Sequence, residues 1–417
     1  MNTKKFKKII LSVIALCLCM AMNGCSMGDI SIEDLMRPPQ LTESRLQVQN
    51  TIDDLLGTSY ELVAPSGGDN RNDINLADLD SDGQTEAICL YTADETKVVS
   101  ILILQKADDN WKELGRYTSD ATGVEKLSFC DMTGDGTKEL IVGWNYLTGS
   151  DRTLQILEPR AHLRSLYKGK YTQYVLMEDG PRIVCIDLSN ASASLLVYKD
   201  LRITSLSSVP IDERIVSLTQ LTVSATTAGN PAVYMDAQLE DQNYHTEILV
   251  VNSDNYLENK LLTGEGLGAD RPLGLRCTDI DGDGIPEVPR CTAMEDTEGA
   301  SYFTHWCKFD GSSLKEPLTT FTSSADRFYV VYPDNWVGKV MVWQDAKVQR
   351  LYHFVNRSHE TLYSLRVFTL TEFSQVHPGD GWISITQNED TVIAYRYGSA
   401  DDITFTTAQW AEALHTY

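Results

Sequence analysis

A nine-residue pattern of alternating acids occurs three times in this 417-residue chain and limits its fold more than any other feature. The copies are Asp78-Leu-Asp80-Ser-Asp82-Gly83-Gln84-Thr-Glu86, Asp131-Met-Thr133-Gly-Asp135-Gly136-Thr137-Lys-Glu139 and Asp279-Ile-Asp281-Gly-Asp283-Gly284-Ile285-Pro-Glu287. Each follows a short apolar stretch (74–77, 127–130, 275–278) and precedes another (87–91, 140–144, 288–293), so each is expected to join two strands. Two more strand-like stretches follow, as at 98–105 and 111–116 after the first copy. The repeating unit is therefore four strands, about fifty residues long.

The first two copies lie one unit apart and the last two roughly three units apart, a gap that holds two degenerate units. Their strands are expected at 174–177, 183–186, 195–198 and 203–206, then at 218–223, 232–235, 248–251 and 257–261. Their first turns, Glu178-Asp179-Gly180 and Thr227-Ala228-Gly229-Asn230, keep a glycine but not the acids. The expected fold is mainly β: a five-unit, β-propeller-like repeat over 58–322, with an irregular pair of β-sandwiches as the alternative. From 323 the composition changes, with Trp336, Trp343, Trp382 and Trp410 in the last stretch. Strands expected at 328–332, 339–343, 350–355, 363–370, 382–386 and 391–397, with a helix at 407–415, make 323–417 a small C-terminal α+β domain, comparable to a curved sheet around an apolar pocket. Its tryptophans are more often core than ligand platforms in such a sheet.

Alternating aspartates on a tight turn point carboxylates into one concavity, and calcium takes six to eight oxygens. The expected ligands are Asp78, Asp80, Asp82, the Gln84 carbonyl and Glu86 in the first loop, and Asp279, Asp281, Asp283, the Ile285 carbonyl and Glu287 in the third. The middle loop offers Asp131, Asp135 and Glu139, with Thr133 replacing an aspartate and Thr137 at the carbonyl position, and should bind more weakly. An EF-hand places its glutamate twelfth, where these copies have Cys89, Val142 and Arg290. The pattern instead resembles the FG-GAP and VCBS-type repeats of integrin-like β-propellers, with glutamate replacing the more usual closing aspartate. The stretch from Arg37-Pro38-Pro39-Gln40-Leu41-Thr42 through the second acidic loop to Ile141-Val142-Gly143-Trp144 is similar to lipid-anchored VCBS-repeat lipoproteins of anaerobic Gram-positive bacteria. That resemblance implies calcium held structurally between the first two strands of a blade. It implies no reaction.

The N-terminus carries Lys4, Lys5, Lys7 and Lys8, then an apolar run to Met22 and Asn23-Gly24-Cys25. This is the organisation of a signal peptide, residues 1–24, too short for a retained span. Gly24-Cys25 resembles a bacterial lipobox, which implies lipid on Cys25, ordinary secretion being the alternative. Residues 25–57 are then lipid anchor, Pro38-Pro39 spacer and a short helix from Thr42 to Gly57, with Leu46, Ile52, Leu55 and Leu56 partly at helical spacing, expected on the propeller rim. The expected location is the extracytoplasmic face of the cell membrane. A net charge of −24 argues against nucleic acid as a partner.

Six cysteines remain after Cys17, Cys19 and Cys25: Cys89, Cys130, Cys185, Cys277, Cys291 and Cys307. None forms C-x-x-C, so zinc has no support. Cys277 and Cys291 flank Gly284 symmetrically, which leaves open either a disulfide or two buried thiols. No H-E-x-x-H, G-x-S-x-G or Walker pattern occurs, and Ser165-Leu-Tyr-Lys168 falls in an expected strand rather than on a helix. The expectation is a non-enzymatic, surface-anchored binding or scaffold protein presenting a face to a protein or glycan. The alternative is an extracytoplasmic carbohydrate-active or other hydrolase, and a third reading is an envelope-assembly factor.

Overall fold

The structure, a computed structural model, describes residues 43–93, 97–107, 110–147, 152–160, 162–263, 270–294, 301–400 and 404–416. Residues 1–42 lie outside the described residues, and with them the signal peptide, Cys25 and the proline spacer. The chain forms two compact units, one containing the helix Glu43–Leu56 together with Asn110 and Trp111, the other holding the rest from Ser59 onward. In the helix Val48 and Ile52, one turn apart, are buried, whereas Leu46 and Leu55 are exposed, so the apolar stripe differs from the one expected by half its residues.

The second unit is mainly β, built from six antiparallel sheets among the described residues. The first sheet contains Ile74–Ala77, Glu86–Ala93, Val99–Ala107 and Asn110–Thr118, with Tyr60–Leu62 added beside Glu86–Ala93. The second runs through Gly123–Cys130, Glu139–Asn145, Arg152–Glu158 and Arg164–Tyr171, each strand paired with the next. Gln173–Leu176, Ile183–Asp187, Ser192–Lys199 and Arg202–Pro210 make the third, and Ile215–Ala225, Pro231–Leu239, Tyr244–Val251 and Leu257–Asn259 the fourth.

Successive sheets pack face to face in chain order. Ile88, Leu90, Ile101 and Ile103 of the first share a cluster with Leu140, Val142, Trp144 and Leu157 of the second. The alternate residues Ile141, Leu154 and Ile156 join Tyr174, Ile183, Cys185 and Leu196 of the third. Val184, Ile186 and Leu195 meet Val233, Met235 and Leu249 of the fourth, whose alternate residues Ala232, Tyr234 and Ile248 meet Val288 and Phe309 of the fifth. Side chains alternate between the two faces of a strand, so a strand buried on both faces reads as an unbroken apolar run. That is the origin of runs such as 87–91 and 140–142.

The last two sheets correct the expected division at 322/323. Leu314–Ser323 ends at that boundary and pairs with Phe328–Val331, while Leu414–Thr416 from the far end of the chain pairs with Phe328–Val331 on its other side. The fifth sheet, which also holds Val288–Ala293 and Tyr302–Phe309, therefore draws strands from both proposed domains. Met341–Gln344, Leu351–Val355, Thr361–Thr369, Thr391–Tyr397 and Ile383–Gln387 form a sixth sheet, where a separate α+β domain had been expected. The count of five units becomes six sheets, because the change in composition at 323 marks a change in side chains and not a break in hydrogen bonding.

Between the fifth and sixth sheets lies an aromatic core. Trp336 and Trp410 are fully buried, with Phe405 4.6 Å from Trp336 and Phe354 5.3 Å from Trp410, ring centre to ring centre. The helix Thr407–Ala413, capped by the Thr406 side chain on the Gln409 N–H, delivers Trp410. This interior is filled by rings, where a curved sheet around an apolar pocket had been expected.

Candidate acidic-loop site

The three loops share one register. Ala77 faces Glu86, Cys130 faces Glu139 and Thr278 faces Glu287, so in each copy the residue before the first aspartate lies opposite the closing glutamate. In the third copy this is an isolated bridge, and the strand expected at 275–278 is absent. Side chains take its backbone groups instead: Arg271 Nε donates to the Leu275 carbonyl at 2.9 Å, and the Cys277 N–H donates to Asp236 at 2.7 Å. The same register overturns a Cys277–Cys291 disulfide. The turn is centred near Asp283 rather than on Gly284, both thiols are free, and Cys291 pairs across the sheet with Thr304.

Within each loop the acids hold the turn before they hold anything else. Asp131 accepts from the N–H groups of Gly134, Asp135 and Gly136 at 2.7, 3.2 and 2.9 Å, and Asp279 does the same for Gly282, Asp283 and Gly284. Asp78 accepts from Gly83 at 3.1 Å through one oxygen, and its other oxygen, Oδ1, is buried without a partner. The fifth-position acids Asp82, Asp135 and Asp283 accept from the N–H groups of Gln84, Thr137 and Ile285. Glycines at the sixth position take φ of 88° at Gly83, 90° at Gly136 and 87° at Gly284, the left-handed region where a β-carbon is strained.

The closing glutamates are buried, and each accepts a main-chain N–H from the loop's second residue: Leu79 at 2.7 Å, Met132 at 2.7 Å and Ile280 at 2.9 Å. Burial raises the pKa of all three above the usual glutamate value, against these hydrogen bonds. Two of the loops gather three carboxylate oxygens within 4.8 Å of one another, from Asp78, Asp80 and Glu86 and from Asp279, Asp281 and Glu287. Asp82 and Asp283 fall outside these groups. The middle loop forms no such group among the described residues, because the Thr133 hydroxyl donates to Glu139 at 3.1 Å and fills the place of a carboxylate.

Cations from other segments also reach the loops, which the linear pattern did not disclose. Lys308 Nζ lies 2.6 Å from Asp281, 2.5 Å from Asp283 and 3.5 Å from Glu287. Arg160 stands 3.8 Å from Asp135 and 2.5 Å from Glu158. Lys138 meets the first loop at a main-chain carbonyl, that of Asp78, at 2.9 Å. A serine from the preceding sheet also donates to the sixth-position carbonyl in the later copies, Ser81 to Gly136 and Ser224 to Gly284, each at 3.1 Å.

Two other polar features lie outside the acidic repeats. A cavity of about 660 Å³ is lined by residues of the second, third and fourth sheets, among them Tyr146, Arg152, Lys170, Tyr171, Asp187 and Ser217. Beside the third loop, the fully buried Arg271 pairs with Asp236 at 2.9 Å and bonds Thr246 at 2.8 Å. His245 in the same sheet lies 2.5 Å from Asp270 and 3.7 Å from Glu247. Ser165 and Lys168 lie in the strand Arg164–Tyr171 and engage different partners, Gln155 and Asp120, so they form no serine–lysine pair.

No protein-family model matches the chain, and no curated protein matches it. Among solved structures it is similar to a protein from Lactobacillus plantarum, at 11% identity over 71% of this chain and 84% of that one, with a TM-score of 0.33. It is also similar to the periplasmic gluconolactonase of Pseudomonas aeruginosa, at 11% identity over 79% of this chain and 89% of that one, with a TM-score of 0.34. The expectation of a chain without enzymatic activity is dropped. It rested on the lack of a familiar catalytic motif, and such a lack gives no ground for excluding activity.

Proposed function

We propose that this is an extracytoplasmic, lipid-anchored protein whose sheets are arranged as propeller blades and braced by calcium, and which binds a sugar-sized or peptide ligand. The observation that carries the metal reading is the first loop, where Asp78, Asp80 and Glu86 bring oxygens together and Asp78 Oδ1 is buried with no donor to satisfy it. A buried carboxylate oxygen without a partner is costly, and a hard cation answers it with the ligand type calcium prefers. The test is thermal unfolding with excess calcium and with chelator. At a hundred times the dissociation constant one site adds about 2.7 kcal/mol, a gain that Asp80→Ala should remove.

The cavity favours a second reading, an extracytoplasmic hydrolase. Its volume falls in the range of small-molecule sites, and it combines tyrosine rings with cationic and hydroxyl groups. Purified protein should be assayed on sugar lactones and on oligosaccharides. Turnover that falls with Arg152→Gln would assign the chemistry to this cavity, and binding without turnover would return the cavity to a ligand-carrying role. Among the described residues no helix is long and apolar enough to cross a membrane. Anchoring is tested separately: a fatty-acid label should enter the wild-type chain and not Cys25→Ala.

A further inference from the structure

The register across each blade fixes what stands opposite the closing glutamate. Ala87 pairs with Leu104, Leu140 with Leu157 and Val288 with Cys307. One step further along each antiparallel ladder, Gln105 faces Glu86, Glu158 faces Glu139 and Lys308 faces Glu287. One structural position is thus neutral in the first copy, acidic in the second and basic in the third.

The local cations follow that difference. Among the described residues no ion pair reaches a carboxylate of the first loop, and Asp78 Oδ1 has no partner there. In the second, Glu158 is buried and held by Arg160 at 2.5 Å and Arg164 at 2.8 Å, and Arg160 extends to Asp135. In the third, the Lys308 ammonium is surrounded by Asp281, Asp283 and the buried Glu287. A divalent ion bound by Asp279, Asp281 and Glu287 would share two of its carboxylates with that ammonium, and two cations a few ångströms apart repel strongly in a partly desolvated site.

We propose that Lys308 stands in for the metal in the third loop, so that the chain keeps three loops of one sequence pattern but binds divalent ions only in the first. The third loop is a closed, metal-independent version braced by a lysine from the neighbouring strand Tyr302–Phe309. This rests on the calcium reading of the first loop, and the experiment separates the two.

Calcium stoichiometry is measured by equilibrium dialysis on the full chain as wild type, Asp80→Asn, Lys308→Gln and Lys308→Gln with Asp281→Asn. The expected result is one ion for wild type, none for Asp80→Asn, two for Lys308→Gln and one again for the double variant. Binding of two ions by wild type, or of one ion by both wild type and Lys308→Gln, overturns the role of Lys308 while leaving the first site intact. Absence of calcium from every protein overturns the calcium reading itself. Should Lys308→Gln fail to fold, Asp281→Asn alone serves: it should lower the melting temperature equally in calcium and in chelator and keep one bound ion, and loss of that ion would overturn the proposal.

Discussion

Gly83, Gly136 and Gly284 sit at φ near 90° with no heavy atom within 4 Å of where a β-carbon would go. An alanine at any of them meets only its own backbone, so Gly284→Ala should cost about 1–2 kcal/mol by the left-handed penalty alone. Chemical denaturation would check this, and the cost should be the same with and without calcium. These glycines, the aspartates that grip the turn and the closing glutamates were all legible in the sequence because their partners lie within nine residues. Lys308, Arg160 and the cross-strand positions were not, since they reach the loops from strands whose register no local pattern encodes. Thr133 was legible as a weaker ligand, but not as the donor that occupies Glu139.

At the level of single elements, the segment Asp270–Arg271 is fixed to the fourth sheet by charge. Arg271 and Asp236 are both fully buried, and removing one partner of such a pair leaves the other uncompensated. Arg271→Met should therefore destabilise the protein by about 3–5 kcal/mol, and adding Asp236→Asn should recover part of the loss in a double-mutant cycle. His245 ties the same segment to the strand Tyr244–Val251. Burial lowers its pKa, but the nearby Glu247 carboxylate and the hydrogen bond to Asp270 outweigh that and hold it above the usual histidine value, with Asp212 and Arg214 the other charged groups nearby. A raised folded value means the histidine's contribution is fully present below its unfolded pKa of about 6.5 and is lost as the pH rises through the folded value. Unfolding followed across that window should show stability falling with pH, and His245→Gln should flatten the slope. None of this network was visible beforehand, because a lone histidine or arginine carries no spacing signal.

Over the whole molecule, the fifth sheet needs strands from 288–323, 328–331 and 414–416, and its core is completed by rings from 336–410. A fragment of 323–417 lacks three strands of that sheet and should not fold alone; a cooperative melt from the isolated fragment would restore the domain boundary withdrawn above. Trp410→Ala should cost about 3–5 kcal/mol in the intact chain, as expected for emptying a fully buried ring site. The sequence repeat showed the strands and the four-stranded unit, because alternation and turn acids are local. It placed the strands of the sixth sheet but left them outside the repeat, as a separate α+β domain, because they carry no acidic loop and differ in composition.

The strand Leu414–Thr416 also sets a timetable. A chain is made from its N-terminus, and its first four sheets are complete once residue 259 has emerged. The fifth then waits for residues 414–416, and until they arrive one edge of Phe328–Val331 has no partner strand and the rings destined to surround Trp410 lack it. Closure of this sheet thus comes long after its other strands are made, and the half-made molecule presents an aromatic, unpaired strand edge of the kind that invites aggregation or a chaperone.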